Sequence, residues 1–191
     1  NFNQETYSGY FMIGKRFTKW YNTRLTASIS NSNYYTITRN IEYKNGVVSN
    51  DNLNNVNNKS FNQTYNLENS FTFKKKFELK AGVNLNLSKY QSLSEQKFTN
   101  WRPYGDAAWS ITDKLLVQSD FSYRLQYRDG KEINTAKEWN ASARYNIAKK
   151  TYLTLTGGNL LGNNVIVSNG FNDNYISTTT KNVLGRYFIV S

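Results

Sequence analysis

One stretch of the chain shows the pattern that decides the fold: Phe77-Glu78-Leu79-Lys80-Ala81-Gly82-Val83-Asn84-Leu85-Asn86-Leu87-Ser88-Lys89. Its apolar residues fall on odd positions, and its polar and charged residues fall mainly on even ones. A period of two places the two sets on opposite faces of a β-strand. The stretch predicts a strand far longer than the five or six residues usual in globular proteins.

The same alternation recurs from one end of the chain to the other and predicts nine strands. They span residues 5–15, 21–34, 61–73, 77–89, 98–111, 115–127, 135–147, 151–161 and 176–191. In strands two to eight nearly all apolar residues are odd-numbered, whereas the even positions between them carry charges. We therefore expect an all-β fold whose sheet has one apolar face and one charged face.

The lengths of the connections between strands allow a membrane barrel to be distinguished from a soluble sandwich. Four of them are short and basic, at 15–19, 74–76, 112–114 and 148–150, and they alternate with longer polar ones at 35–60, 90–97, 128–134 and 163–174. All short turns then lie at one end of the sheet, which is typical of outer-membrane barrels. Such a barrel turns its apolar face to lipid, whereas a sandwich would bury it. The sequence thus predicts an antiparallel up-and-down transmembrane β-barrel.

In a barrel of this kind the charged face lines the lumen, and aromatic residues mark the membrane interface. The charges on the even positions alternate in sign, as in Arg102 with Asp106 and Glu138 with Arg144. They either line a lumen or form cross-strand pairs of opposite charge that stabilise a wet sheet face. The predicted lumen-lining residues are Arg24, Glu68, Lys80, Arg102, Asp106, Asp120, Arg124, Glu138, Arg144 and Arg186. The predicted interface aromatics near the short turns are Phe17, Trp20, Tyr21, Phe73, Phe77 and Trp109.

Composition narrows the functional classes. The 191 residues include no Cys and no His, which removes the thiolate nucleophile, the commonest general base and the commonest metal ligand. We expect no catalytic, cofactor or metal site, and no enzymatic activity. The net charge of +11 with 16% aromatic residues is also typical of a soluble nucleic-acid-binding β protein. The cations and aromatics are sorted to different positions, however, so we do not expect a nucleic-acid partner.

Three short segments resemble a known family. Residues 182–191 resemble the last barrel strand of TonB-dependent receptors, in the branch called the outer membrane beta-barrel family. The turn Phe17-Thr18-Lys19-Trp20-Tyr21 is similar to that family's periplasmic turn. Asn159-Leu160-Leu161 is similar to the step at which its penultimate strand ends. In layout, the resemblance extends over most of the chain.

The resemblance implies a 22-stranded barrel around an N-terminal plug, of which residues 1–191 are the C-terminal portion without the plug. It implies import of a solute across the outer membrane of a Gram-negative bacterium. The implied partners are the lipid bilayer, the plug, TonB and an outer-membrane lipoprotein. The plug would pack on an inner face of Leu184, Phe188 and Val190, and the 35–60 loop with Tyr35 and Tyr43 would meet the solute.

Two alternatives remain open at this point. A small structural or pore-forming barrel would need a tenth strand or a different pairing, because single-chain bacterial barrels have an even number of strands. A soluble basic protein would bury the odd face instead. Because both ends look like interrupted strands, we expect an excerpt from a longer protein. Pro103 has no backbone N–H to donate to a neighbouring strand, so we expect it at a bulge or near the loop end of strand five.

Overall fold

β-strands make up most of the computed structural model, which describes residues 4–92, 94–162, 165–172, 175–182 and 185–191. None of the described residues is helical, and accordingly none belongs to a helix able to cross a membrane. The strands are β1 (Glu5–Arg16), β2 (Tyr21–Lys44), β3 (Val47–Phe73), β4 (Phe77–Gln91), β5 (Glu95–Ser110), β6 (Leu115–Arg128), β7 (Lys131–Ala148), β8 (Thr151–Gly158), β9 (Val165–Asn172), β10 (Tyr175–Asn182) and β11 (Tyr187–Val190).

Nine of these strands form one antiparallel up-and-down sheet, in the order β1 to β8 followed by β11. Consecutive neighbours hydrogen-bond to each other because the connections between them are short. The predicted all-β, up-and-down architecture is therefore confirmed. The described strands do not close into a barrel, since β1 and β11 form the two edges of the sheet.

The register of the sheet keeps odd residues opposite odd residues. Leu25 lies opposite Leu67, Leu67 opposite Val83, and Val83 opposite Pro103. Directly opposite residues in an antiparallel pair share a face of the sheet. From β1 to β8 the odd, mainly apolar positions therefore form one continuous face, and the even positions form the other.

The last strand differs from the prediction in both extent and face. Residues 176–191 do not form one strand, because β10 pairs with β9 in a separate hairpin and only β11 joins the main sheet. Phe188 lies opposite Gly157, and Val190 lies opposite Leu155. Both side chains are thus on the odd, apolar face, so their assignment to an inner apolar face was wrong. Leu184 lies outside the described residues.

The four short turns are confirmed, but the greater length predicted for the other connections is not. The predicted connections 90–97 and 128–134 shrink to turns no longer than the short ones, since β5 begins at Glu95 after β4 ends at Gln91, and β7 begins at Lys131 after β6 ends at Arg128. Residues 35–60 were predicted as a loop but continue β2 and β3 up to a turn at Asn45-Gly46. Most of 163–174 is occupied by β9. Beyond Asn33 and Lys59, where β1 and β4 stop pairing, β2 and β3 form a projecting two-stranded ribbon. Tyr35 lies in this ribbon with a 44% exposed side chain, and the side chain of Tyr43 is not among those described.

Pro103 lies in the middle of β5 rather than at a bulge or near its loop end. It faces Val83 on β4, and that ladder is continuous. On the other side the pairing with β6 is interrupted at residues 102 and 103 and resumes at Tyr104 in the same register. A missing N–H donor accounts for an interruption of this kind. The pairing of β5 with β6 therefore has a local gap at the proline, and the rest of the sheet is unaffected.

Three hairpin connections, two of two residues and one of three, contain a pair of adjacent residues that both have positive φ. Two have the sequences that such turns favour: Asn45-Gly46, at φ 53° and 78°, and Asp129-Gly130, at φ 50° and 78°. The third, at the short-turn end, uses Lys74 and Lys75 at φ 49° and 57°. Left-handed backbone costs an L-residue about 1–2 kcal/mol. The two lysines therefore occupy a turn for which their residue type is poorly suited.

Replacing this pair by the favoured sequence, Lys74→Asn with Lys75→Gly, should stabilise the protein by about 1 kcal/mol, because part of the left-handed cost disappears. Urea unfolding of the purified protein measures the difference. The reciprocal change, Asp129→Lys with Gly130→Lys, should destabilise it by a similar amount. An unchanged or lowered unfolding midpoint for the Asn-Gly variant would contradict the assignment of strain to this turn.

The apolar face is the exposed one. Among the described residues the buried apolar side chains are Phe98 and Ala136, both even-numbered, whereas odd residues such as Leu67, Phe121 and Leu155 are 41–47% exposed. The accessible surface is 13,745 Å², against roughly 9,300 Å² expected for a compact monomer of 22.1 kDa. The described sheet therefore has no apolar core of its own.

Candidate functional site

Nine of the ten predicted lumen-lining residues lie on the even face of the sheet. Because the register preserves parity from β2 to β7, their side chains share that face whatever strand they come from. Arg186 is the exception, since it precedes β11 and its guanidinium packs beside Gly162 in the turn after β8. The nine are Arg24, Glu68, Lys80, Arg102, Asp106, Asp120, Arg124, Glu138 and Arg144. That they line a lumen stays a prediction.

A hydrogen-bonded row crosses this face. Arg24 lies opposite Glu68 and donates from Nη2 to Oε1 at 2.9 Å. Tyr104, two strands away from Glu68, donates from its hydroxyl to Oε2 at 3.2 Å. Farther along the row, Ser122 donates to Oε2 of Glu138 at 3.5 Å. Glu68 on β3 thus accepts hydrogen bonds from both sides and links β2, β3 and β5.

The row depends on Gly82, which lies between Glu68 and Tyr104 in the register. A Cβ at position 82 would lie 2.6 Å from the carbonyl oxygen of Leu67 and 2.7 Å from the Tyr104 ring. Glycine leaves this space empty, so the tyrosine ring covers the backbone and its hydroxyl reaches β3. Gly158 and Tyr187 repeat the arrangement, because they are directly opposite and the ring would meet any Cβ at position 158.

A concavity of about 390 Å³ opens on the same face near the short turns, and nine of its twelve lining residues are even-numbered. Within it Lys80 lies opposite Asp106, and Asp106 lies opposite Asp120. Asn140 donates from Nδ2 to Oδ2 of Asp120 at 2.8 Å, and its Oδ1 accepts the backbone N–H of Asn159 at 2.9 Å. In the described part of the chain, no group of three or more acidic residues is arranged to hold a metal ion.

Opposite charges pair across neighbouring strands of this face, which is one of the two interpretations that the sequence left open. Residues four to six positions apart on one strand, such as Arg102 and Asp106, are separated by about 13–20 Å, too far for an ion pair. Arg24 on β2 and Glu68 on β3 form such a cross-strand pair. Arg144 places its guanidinium carbon 4.0 Å from the centre of the Tyr152 ring. This is a cation–π contact between neighbouring strands.

The predicted interface aromatics gather at the short-turn end. Tyr21 stacks between Phe17 and Phe71, with ring centroids 5.3 and 4.6 Å apart, and Trp20 stacks on Phe71 at 6.3 Å. Phe71 was not among the predicted interface aromatics, although its odd position near a short turn was a usable signal. Phe73, Phe77 and Trp109 follow one another across three strands of the odd face.

Two of the short turns share one backbone motif that sequence analysis missed. In the first, the hydroxyl of Thr18 accepts the N–H groups of Trp20 and Tyr21 at 3.3 and 3.0 Å. In another, the hydroxyl of Thr112 accepts those of Lys114 and Leu115 at 3.2 and 3.0 Å. The shared signal is an apolar residue, then Thr, two further residues and an apolar residue. Threonine thus fixes the path of both turns.

No family model matches this chain, and no curated protein matches it either. Its function must therefore be argued from its own geometry. The site has three parts: a polar face crossed by hydrogen bonds, an exposed apolar face, and a rim of aromatic residues beside basic turns.

At the opposite end of the sheet, Glu95 joins two lysines. Its carboxylate lies 2.9 Å from Nζ of Lys89 and 3.1 Å from Nζ of Lys97. Hydrogen bonds from Lys89 first and Lys97 second hold the pKa of Glu95 below its usual value. These contacts tie β4 to β5 beside their turn.

Gly82→Ala should destabilise the protein by about 1–3 kcal/mol, because the new Cβ must displace the backbone of Leu67 or the Tyr104 ring. The matched control is Gly105→Ala on β5, where a Cβ would meet only the Lys80 carbonyl oxygen at 3.7 Å. Urea unfolding compares the two variants. Equal effects at the two positions would show that Gly82 has no special packing role.

The Glu95 contacts predict a pH-dependent stiffness of the β4–β5 turn. A carboxyl whose pKa is lowered on folding stabilises the folded state above its unfolded pKa of about 4.3, and this contribution disappears as pH falls through the folded pKa. Hydrogen exchange at residues 90–97 should be faster in Glu95→Gln than in the parent protein at pH 7, and the difference should shrink as the pH is lowered below the unfolded pKa. A rate ratio that does not change with pH would contradict this account.

Proposed function

We propose that residues 1–191 form the C-terminal part of a 22-stranded outer-membrane β-barrel of the TonB-dependent receptor kind, which imports a solute across the outer membrane of a Gram-negative bacterium. In this proposal the odd face contacts lipid and the even face lines the lumen. The full-length protein contributes the plug that fills the lumen and the segment that contacts TonB. An outer-membrane lipoprotein is a further expected partner.

The exposure of the apolar face carries the proposal. Phe11, Ile13, Phe73, Trp109 and Ile147 are each 52–57% exposed. Burying a side chain of this size is worth about 1.5–3 kcal/mol, so a sheet that leaves a whole face of them in water forgoes its main source of stability. Lipid covers such a face without any second layer of protein, which is the arrangement found in membrane barrels.

Strand length and the polar face agree with this placement. β4 has 15 residues and rises roughly 36 Å when tilted by about 45°, against about 30 Å of hydrocarbon. The polar face is the more enclosed of the two, since buried Asn58, Ser88, Ser122 and Gln126 are all even-numbered. A hydrogen-bonded, partly enclosed polar face beside an exposed apolar one suits a wet lumen.

The two edges of the sheet support a larger barrel. An unpaired edge leaves backbone N–H and C=O groups without partners, which lipid cannot supply. In the proposal, further strands of the full-length barrel pair with β1 and β11. The β2–β3 ribbon then projects on the outer side, away from the short turns, and replaces the predicted 35–60 loop as the surface that meets the solute.

Val83→Arg tests the membrane placement directly. Val83 lies on the odd face in the middle of β4, where an arginine facing lipid near the midplane costs about 2–4 kcal/mol. We expect the full-length variant to be lost from the outer-membrane fraction of a producing bacterium, as measured by immunoblotting of fractionated cells.

Thr26→Arg is the matched control. Thr26 lies on the even face at nearly the same depth, since it is opposite Asn66, which neighbours Leu67, the partner of Val83. Its arginine would enter the polar face near Glu68, so assembly should persist. Normal membrane assembly of Val83→Arg, or recovery of the parent protein from the soluble fraction, would overturn the proposed function.

A further inference from the structure

The positive charge of the chain is concentrated at one end of the sheet. The short-turn rim, defined here as residues 15–20, 74–76, 111–114 and 149–150, holds nine Lys and Arg residues and one carboxylate, Asp113. Its net charge is therefore +8 out of the chain's +11. The remaining residues carry only +3, so the rim accounts for most of the excess charge.

The first basic cleft lies between the first two short turns. It has a volume of about 480 Å³, and its lining includes four cations and two aromatic rings but no carboxylate. The backbone N–H of Thr72 donates to the Trp20 carbonyl oxygen at 2.8 Å and holds the two turns together. The cations and rings are Arg16, Lys19, Lys74, Lys75, Trp20 and Phe73.

The second basic cleft, of about 560 Å³, lies between the other two short turns and repeats this chemistry. It is lined by Lys114, Arg144, Lys149 and Lys150 together with Tyr152, again without a carboxylate. The N–H of Asn146 donates to the Lys114 carbonyl oxygen at 2.8 Å and joins the turns. Arg144 and Tyr152 lie on the even face. In the proposed placement this second cleft therefore opens to the lumen, and only the first cleft, with Phe73 on the odd face, adjoins lipid.

The backbone at the first cleft suggests that its charge has a use. The hairpin turns at the opposite end place Asn-Gly and Asp-Gly at left-handed positions, whereas this turn places Lys74 and Lys75 there. A sequence chosen for turn stability alone would favour Asn-Gly here as well. The ammonium group of Lys74 lies 5.4 Å from the centre of the Phe73 ring, so charge and ring adjoin at this turn.

We propose that the first basic cleft binds the phosphate headgroup of an anionic phospholipid in the adjoining leaflet. This inference rests on the proposed membrane placement, which brings the short-turn rim to a headgroup layer. Cations attract the phosphate, and the rings beside them face the level where headgroups meet acyl chains. A free phosphate ion offers the same charge but has no acyl chain for the rings to contact.

The test uses the full-length protein in detergent and native mass spectrometry with phosphatidylglycerol or with phosphatidylcholine of identical acyl chains. Phosphatidylglycerol should bind more tightly. Lys74→Asn with Lys75→Gly should weaken phosphatidylglycerol binding at the first cleft about 25-fold, because each basic residue near an anionic surface contributes about fivefold. Since this variant has the favoured turn sequence, misfolding does not explain a loss of binding.

The control removes two charges beside the equivalent turn at the opposite end, by Arg128→Gln with Lys131→Gln. It should bind phosphatidylglycerol like the parent. Three outcomes would each overturn the lipid proposal: an equal loss of binding in the control, equal binding of the two lipids, or displacement of the lipid by inorganic phosphate at the lipid's own concentration. In each case a membrane-inserted protein would still support the proposed function. Failure of the parent protein to enter membranes would overturn both.

Discussion

In the bodies of the strands, odd residues pair with odd residues and even residues with even ones. The rest of this structure depends on this constraint. Slipping one strand by a single residue would move its apolar set to the opposite face. The sheet has register shifts, but they lie at Glu42/Tyr43, Gln126/Tyr127 and Asn146/Ala148, each within a few residues of a turn. The bodies of the strands therefore stay in phase, and residues far apart in sequence reach a common face.

Parity also explains how the polar face is built. Because Gly82 and Tyr104 are aligned on that face, the ring can lie over the glycine on β4, and its hydroxyl can reach Glu68 on β3, two strands away. The pairing of Gly158 with Tyr187 applies the same principle at the other side of the sheet. A large ring covering a glycine joins neighbouring strands on a face that has little apolar packing to hold it together.

Much of the sheet was predictable because alternation and turn sequence are local signals. The short turns and the strand faces follow directly from them. The β2–β3 ribbon was missed because its Asn-rich sequence has low β-propensity, whereas the Asn45-Gly46 turn and continuous backbone pairing override that preference. The face of Phe188 was missed because it depends on how β11 aligns with β8 after a long connection. The link from Tyr104 to Glu68 likewise depends on alignment across two strand pairs.

The ribbon formed by β2 and β3 has a mechanical property that follows from its shape. It rises roughly 35 Å from its base near Asn33 and Lys59 to the Asn45-Gly46 turn. Its two strands pair only with each other over that length, within the described residues. A rotation of about 10° at the base therefore moves the tip by roughly 6 Å. With a ribbon of this length, a change of a few degrees in the twist of the sheet at its base would shift the Asn45-Gly46 turn by several ångströms.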